Sequence, residues 1–254
     1  MNIEAKADDS AIRLQGLSKS FASQHVLDSI DLRVRRGETL TVLGRSGSGK
    51  SVLLKLIIGL QKPDAGSIEV DGQDITRISL TELNNIRKTI GFLFQQAALY
   101  DSLTVEENVA FPLRRHTTLR TAERTDRVRE LLARVGMEAE VRKMPAQLSG
   151  GMKKRVGLAR SLALDPKIML LDEPTAGLDP ITTAEINELI QDLQQERQMS
   201  FVVVTHDMLT VNAVANRVVM LYKGRLVFDG APGEMKDSGH PFVSKFLREA
   251  EGRD

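Results

Sequence analysis

The stretch GRSGSGKS, Gly44 to Ser51, constrains this chain more than any other part of it. Three glycines, Gly44, Gly47 and Gly49, fall in eight residues, which suits neither a packed core nor a helix interior. The stretch follows the apolar run TLTVLG and precedes VLLKLIIGL, so the local order reads strand, tight loop, helix. In that setting the spacing G-x-x-x-x-G-K-[ST] aims consecutive backbone N–H groups at a phosphate, aided by the positive end of the helix that starts there. Lys50 is placed to neutralise β- and γ-phosphate charge, and the Ser51 hydroxyl to ligate Mg²⁺. Arg45, Ser46 and Ser48 within the loop, and Val52 just after it, complete the expected nucleotide-binding stretch. On this motif alone GTPases, kinases, helicases and transport ATPases remain equal candidates.

A second element narrows the chemistry. KIMLLDE reads as a buried strand that delivers Asp172 and Glu173 to the same sheet edge as the loop. Asp172 can hold the Mg²⁺ shell while Glu173 polarises a water for attack on the γ-phosphate. The remaining pattern alternates short apolar strands, among them SFVVVTHD, with helical stretches. Such alternation implies a parallel sheet covered on both faces. Ser79 and Glu82 have capping-box spacing before ELNNIRK, and Asp179-Pro180 has the N-cap then N1 order ahead of a long helix. The helix after the glycine loop is expected to close at the Lys62-Pro63-Asp64 breaker, and Lys223-Gly224 to turn a hairpin. Residues 97 to 160 read as mostly helical and as an insertion between two α/β halves. Residues 1 to 10 read as a frayed tail, and 237 to 254 as a short helical extension.

Composition excludes several classes. The 35 basic and 34 acidic side chains nearly cancel, and there are two tyrosines and no tryptophan. That leaves neither a field nor a stacking platform for nucleic acid, which is not expected as a partner. No cysteine is present, which removes disulfides, thiolate metal sites and a cysteine nucleophile, and suits a reducing compartment. No apolar run approaches the roughly 18 residues of a membrane span, so membrane association is expected through a partner.

LSGGM, Leu148 to Met152, resembles the LSGGQ signature of ATP-binding cassette (ABC) ATPases. Further matches fall in family order over about residues 12 to 235: LFQQ resembles the Q-loop, AGLD the D-loop and VTHD the switch-histidine strand end. The resemblance implies a RecA-like P-loop core with an N-terminal antiparallel β subdomain and the inserted helical subdomain. It implies that Phe21 stacks on adenine and that Gln95 contacts Mg²⁺ and the γ-phosphate side. Ser149, Gly150 and Gly151 would form the signature that meets ATP held by a second copy. Asp179 would reach across that homodimer, and His206 would hydrogen-bond the γ-phosphate. Met152 departs from the usual glutamine and replaces a polar group with a flexible apolar one.

QQAALYDSLTVEENVAFPLRRHTTL, with LSGGM and the DPIT after the D-loop, looks like the MlaF and Mce-associated ATPases of phospholipid transport. That resemblance implies a peripheral ATPase at the cytoplasmic face of the bacterial inner membrane, driving a membrane permease. A periplasmic Mce lipid-binding protein and a small STAS-domain protein would be further partners. Amino-acid importers of the methionine type carry similar text and remain the alternative; little sequence follows the cassette where such importers often append a domain. ABC proteins acting on nucleic acid or ribosomes are more remote, because long heptad arms, a second cassette and zinc-binding cysteines are all missing.

Overall fold

The computed structural model describes residues 9 to 197 and 199 to 250. Most of the tail expected at 1 to 10 lies outside them, but Ser10 already opens a strand. The chain begins β1 (Ser10–Phe21), β2 (Gln24–Arg35) and β3 (Thr39–Leu43), then α1 (Lys50–Ile57), β4 (Ala65–Val70), a two-residue β5 (Gln73–Asp74), α2 (Leu80–Arg87) and β6 (Ile90–Leu93). Three helices follow, α3 (Val105–His116), α4 (Thr121–Arg134) and α5 (Gly150–Ser161), with two short 3-10 turns before α5 and no strand until β7 (Ile168–Asp172). The rest comprises α6 (Pro180–Arg197), β8 (Ser200–Thr205), α7 (Met208–Val214), the hairpin β9 (Arg217–Tyr222) and β10 (Arg225–Gly230), and α8 (Pro241–Ala250).

Two sheets result. One is antiparallel in the order β2-β1-β4-β5; the other runs β10-β9-β3-β8-β7-β6, parallel except for β10 at its edge. The period-two rule of strands explains how the second sheet is covered on both faces. On β7, Met169 and Leu171 join Val109 of α3, Leu131 of α4, Leu158 of α5 and Ile190 of α6, while Ile168 and Leu170 point the other way, to α1 and the antiparallel sheet. On β8, Phe201 and Val203 divide from Val202 and Val204 in the same manner. Each such fully buried aliphatic contributes about 1.5–3 kcal/mol. Val218 and Met220 of β9 instead pack on a third cluster with Val211 of α7 and Val243 and Phe246 of α8.

Local signals set the element ends. The capping box of α2 is formed: Ser79 Oγ accepts from Glu82 N (3.3 Å) and Ser79 N donates to the Glu82 carboxylate (2.9 Å). Lys223 and Gly224 both have positive φ, as a two-residue hairpin turn requires. The end expected for α1 at Lys62-Pro63-Asp64 is corrected. Gly59, at φ 67°, ends it first, with Gly59 N donating to Leu56 O and Leu60 N to Lys55 O. This paired closure satisfies the last carbonyls before the proline is reached.

Candidate active site

Because β3, β8, β7 and β6 are parallel, their carboxyl ends lie along one edge of the sheet, where open α/β sheets place their ligands. The glycine loop follows β3, Asp172 ends β7, His206 follows β8 and Gln95 comes just after β6. Residues far apart in sequence thereby converge.

The loop's small residues are required by contact. A Cβ on Gly44 would sit 2.6 Å from the Leu221 carbonyl oxygen, and one on Gly49 2.9 Å from Val26 Cγ1. Gly47 and Gly49 also have φ of 77° and 104°, which favour glycine. Lys50, 5% exposed, folds back so that its Nζ donates to Gly44 O (2.7 Å) and Arg45 O (3.2 Å) and lies 3.3 Å from Glu173 Oε1. Ser51 Oγ donates to Asp172 Oδ1 at 2.8 Å. Burial pushes the Asp172 carboxyl up, opposed by the Ser51 hydrogen bond; Glu173 adds repulsion, and Lys55 and Lys50 draw it back down.

Glu173 is buried, with backbone in the left-handed region at φ 48°, an uncommon place for a non-glycine residue. Its N donates to Val204 O (2.9 Å), and Oε2 lies 3.0 Å from His206 Nδ1. Glu173 and His206 open onto a cavity of about 550 Å³ shared with Leu178 and Thr183. One carboxylate thus bridges the loop lysine and the histidine.

The chemistry of the donors suits a phosphate chain and a hard divalent ion. Ser48 Oγ is buried in the loop without a hydrogen-bond partner, and the Ser51 hydroxyl beside the Asp172 carboxylate is an oxygen set of the kind Mg²⁺ takes.

The remaining expected residues lie around this centre. Phe21, 43% exposed, ends β1 opposite Gln24, in the hairpin whose Val26 covers Gly49. Gln95 is exposed and shares the wall of a cavity of about 500 Å³ with Gly150 and Leu178. Ser149 is the N-cap of α5, its Oγ accepting from Met152 N at 3.2 Å, and Ser149 and Gly150 are exposed. Among the described residues no hydrogen bond or ion pair joins 149–151 to the chain's own loop 44–51. Asp179 caps α6, accepting from Thr182 Oγ1 (2.6 Å) and from Thr182 N and Ile181 N (each 3.0 Å), and the Thr182 hydroxyl, then its N–H, holds the carboxyl below the usual range. Arg45 pairs with Glu249 of α8 at 2.5 Å. Ser46 and Val52 lie in the loop and at the start of α1.

One group escaped the sequence reading. Lys154 of α5, 4% exposed, donates to Gln95 O (2.5 Å) and Glu173 O (2.7 Å), and burial draws its ammonium down to about 8 against the upward pull of Asp172 and Glu173. Its spacing was the available signal. Lys154 lies in helical line with Gly151 and Leu158, both buried.

A glycine loop after a central parallel strand, with lysine and serine facing two strand-end carboxylates, defines a P-loop nucleoside triphosphatase of RecA-like fold. The chain belongs to the ABC transporter family, whose model matches residues 27–176, and is an ATPase cassette of that family. It is 44% identical to the probable ribonucleotide transport ATP-binding protein mkl of Mycobacterium bovis over 237 residues, 93% of this chain and 66% of that protein. It is equally, at 44% over 246 residues, identical to the methionine import ATP-binding protein MetN of Caulobacter vibrioides, covering 95% of this chain and 73% of that one. Its fold matches a dimeric post-hydrolysis structure of the ATP-binding cassette MJ0796 bound to ADP and Pi, with TM-score 0.81, 34% identity, and 87% and 98% of the two chains covered. It also matches cbiO1 of Clostridium perfringens, part of the ABC transporter complex cbiONQ, with TM-score 0.82, 32% identity, and 97% and 96% covered.

Proposed function

We propose that this chain is the ATP-hydrolysing subunit of a transporter, working as a homodimer on a separate membrane permease, and that the cargo is phospholipid. The observation that carries the hydrolytic part is the Glu173 carboxylate held between Lys50 and His206 beside the Ser51–Asp172 pair. When the γ-phosphate takes over Lys50, Glu173 is released to orient and deprotonate the attacking water, and His206 holds a γ-phosphate oxygen. Ser51, Gln95 and Asp172 would hold Mg²⁺, which when bound would supply positive charge against the phosphates. Phe21 offers an exposed ring for adenine, and the glycine-loop amides together with Arg45, Ser46 and Ser48 surround the phosphates.

The second half of each site comes from another copy. Ser149 and Gly150 stand exposed at a helix N-terminus, with Gly151 buried just behind them, which suits an anion presented from outside. Ile181, 75% exposed, and Leu209, 62% exposed, are apolar surface next to Asp179 and near His206, as a partner face requires. Contacts to the γ-phosphate exist only with ATP, which supplies the differential binding that closes and reopens the dimer.

No helix among the described residues is long and apolar enough to cross a membrane, so force must pass to the permease by contact. We seat that contact in the groove of about 390 Å³ beside the loop that carries Gln95, where the exposed rings of Tyr100 and Phe111 pack tilted with centroids 4.6 Å apart. On this reading the chain works at the cytoplasmic face of the bacterial inner membrane. Support for lipid cargo is the likeness of residues 95 to 119, LSGGM and DPIT to the Mla and Mce-type ATPases, with an Mce lipid-binding protein and a STAS-domain protein as further partners. The equal identity to a methionine importer supports a second reading, an amino-acid importer. Tagging the chain, solubilising native membranes gently and identifying co-purifying proteins and lipids by mass spectrometry separates the two. The lipid reading expects a permease, an Mce protein and phospholipid; an amino-acid permease with a solute-binding lipoprotein would overturn it.

A further inference from the structure

The signature helix does more than present its N-terminus. From α5, Lys154 grips the carbonyls of Gln95 and Glu173, and farther along the helix Arg160 donates to Ala97 O (2.6 Å) and Ala98 O (2.7 Å). Ala97 and Ala98 have φ of 58° and 47°, so the segment after Gln95 is held in the left-handed region without glycine, as is Glu173. Such conformations persist only where surrounding contacts over-determine them. Lys154 is the one side chain among the described residues that hydrogen-bonds both Gln95, which leads into the first of these segments, and Glu173, and its three N–H donors suit two carbonyls at once.

We propose that Lys154 is a positioning residue for hydrolysis, fixing the Gln95 and Glu173 backbones to the signature helix so that both side chains are aimed together at the γ-phosphate. This rests on the ATPase reading above and adds to it a route of coupling. When α5 shifts on meeting the second copy's nucleotide, the Q-loop and the general base shift with it. The carboxylate of Glu173 is set from in front by Lys50 and His206, and its main chain from behind by Lys154. Removing Lys154 therefore leaves nucleotide contacts intact and misdirects the base, and misplacement on the ångström scale costs up to about 100-fold in rate.

The test compares Lys154→Met, which keeps length and loses the donors, with Lys154→Gln, which keeps two N–H donors, using the full-length chain. The expected result is a kcat for K154M lower by about 10- to 100-fold with KM for ATP within about threefold, and a K154Q rate within about threefold of wild type. A K154M rate within about twofold of wild type, a KM that rises as far as kcat falls, or a K154Q as slow as K154M would overturn the proposal. Hydrogen exchange on the wild-type protein gives an arm that needs no variant and no turnover: segments 95–98 and 173–176 are expected to open together with α5, and independent opening would defeat the proposal. A wild-type chain that hydrolyses no ATP would instead defeat the enzymatic reading, and the exchange arm then judges Lys154 alone.

Discussion

Ser51 and Asp172 are 121 positions apart, yet their 2.8 Å hydrogen bond is what makes the burial of Asp172 tolerable. A buried carboxylate without a partner costs about 1–3 kcal/mol or more. Ser51→Ala removes that donor and, on the proposed reading, a ligand of the metal. We expect Mg²⁺-dependent ATP binding, followed by calorimetry, to weaken by at least about tenfold, with Ser51→Thr restoring it. Unchanged affinity in S51A would remove Ser51 from that role. Lys50, Ser51, Asp172, Glu173 and His206 were legible in the sequence because fixed spacings and strand ends announce them. Lys154 was not, since a lysine in KKR reads as solvated surface until its helix neighbours Gly151 and Leu158 are known to be buried. The N-cap role of Asp179 was also legible, in the Asp179-Pro180 order, and its carboxylate does cap α6.

At the scale of elements, end signals decided where the loops around the site begin. Gly59 rather than Pro63 stops α1, because a left-handed residue that closes the last turn acts before the chain reaches a breaker. Gly59→Ala forces a Cβ into that conformation, 2.9 Å from Leu83 Cδ1. Urea unfolding is expected to register a loss of about 1–2 kcal/mol. A variant as stable as wild type would mean that the turn relaxes at no cost. The capping box of α2 was read from Ser79 and Glu82, whereas the same pattern at Thr104 and Glu107, where Thr104 N donates to Glu107 at 2.8 Å, passed unread. It lies in an interval read only for its helical period, and Tyr100 and Phe111 were no more visible there as an exposed pair of rings in contact. The two-residue β5 is too short for any period to reveal.

For the whole molecule, alternating strands and helices sufficed to expect a parallel sheet covered on both faces, and the two-sided sorting of β7 and β8 side chains is its physical form. The strand order β9-β3-β8-β7-β6 was not legible, because it follows from how crossovers pack and not from any residue's preference. That order brings the loop, the carboxylates and His206 to one edge while leaving Ser149 and Gly150 exposed on α5. On the proposed reading one copy carries two unlike halves of a site, and two copies complete two sites around ATP. The most direct measurement is the mass of the Glu173→Gln variant by analytical ultracentrifugation, with and without MgATP. The expected result is the 28.1 kDa protomer without nucleotide and twice that mass with MgATP, because binding proceeds and release by hydrolysis does not. A protomer mass at saturating MgATP, or a variant that turns over ATP at the wild-type rate, would contradict it.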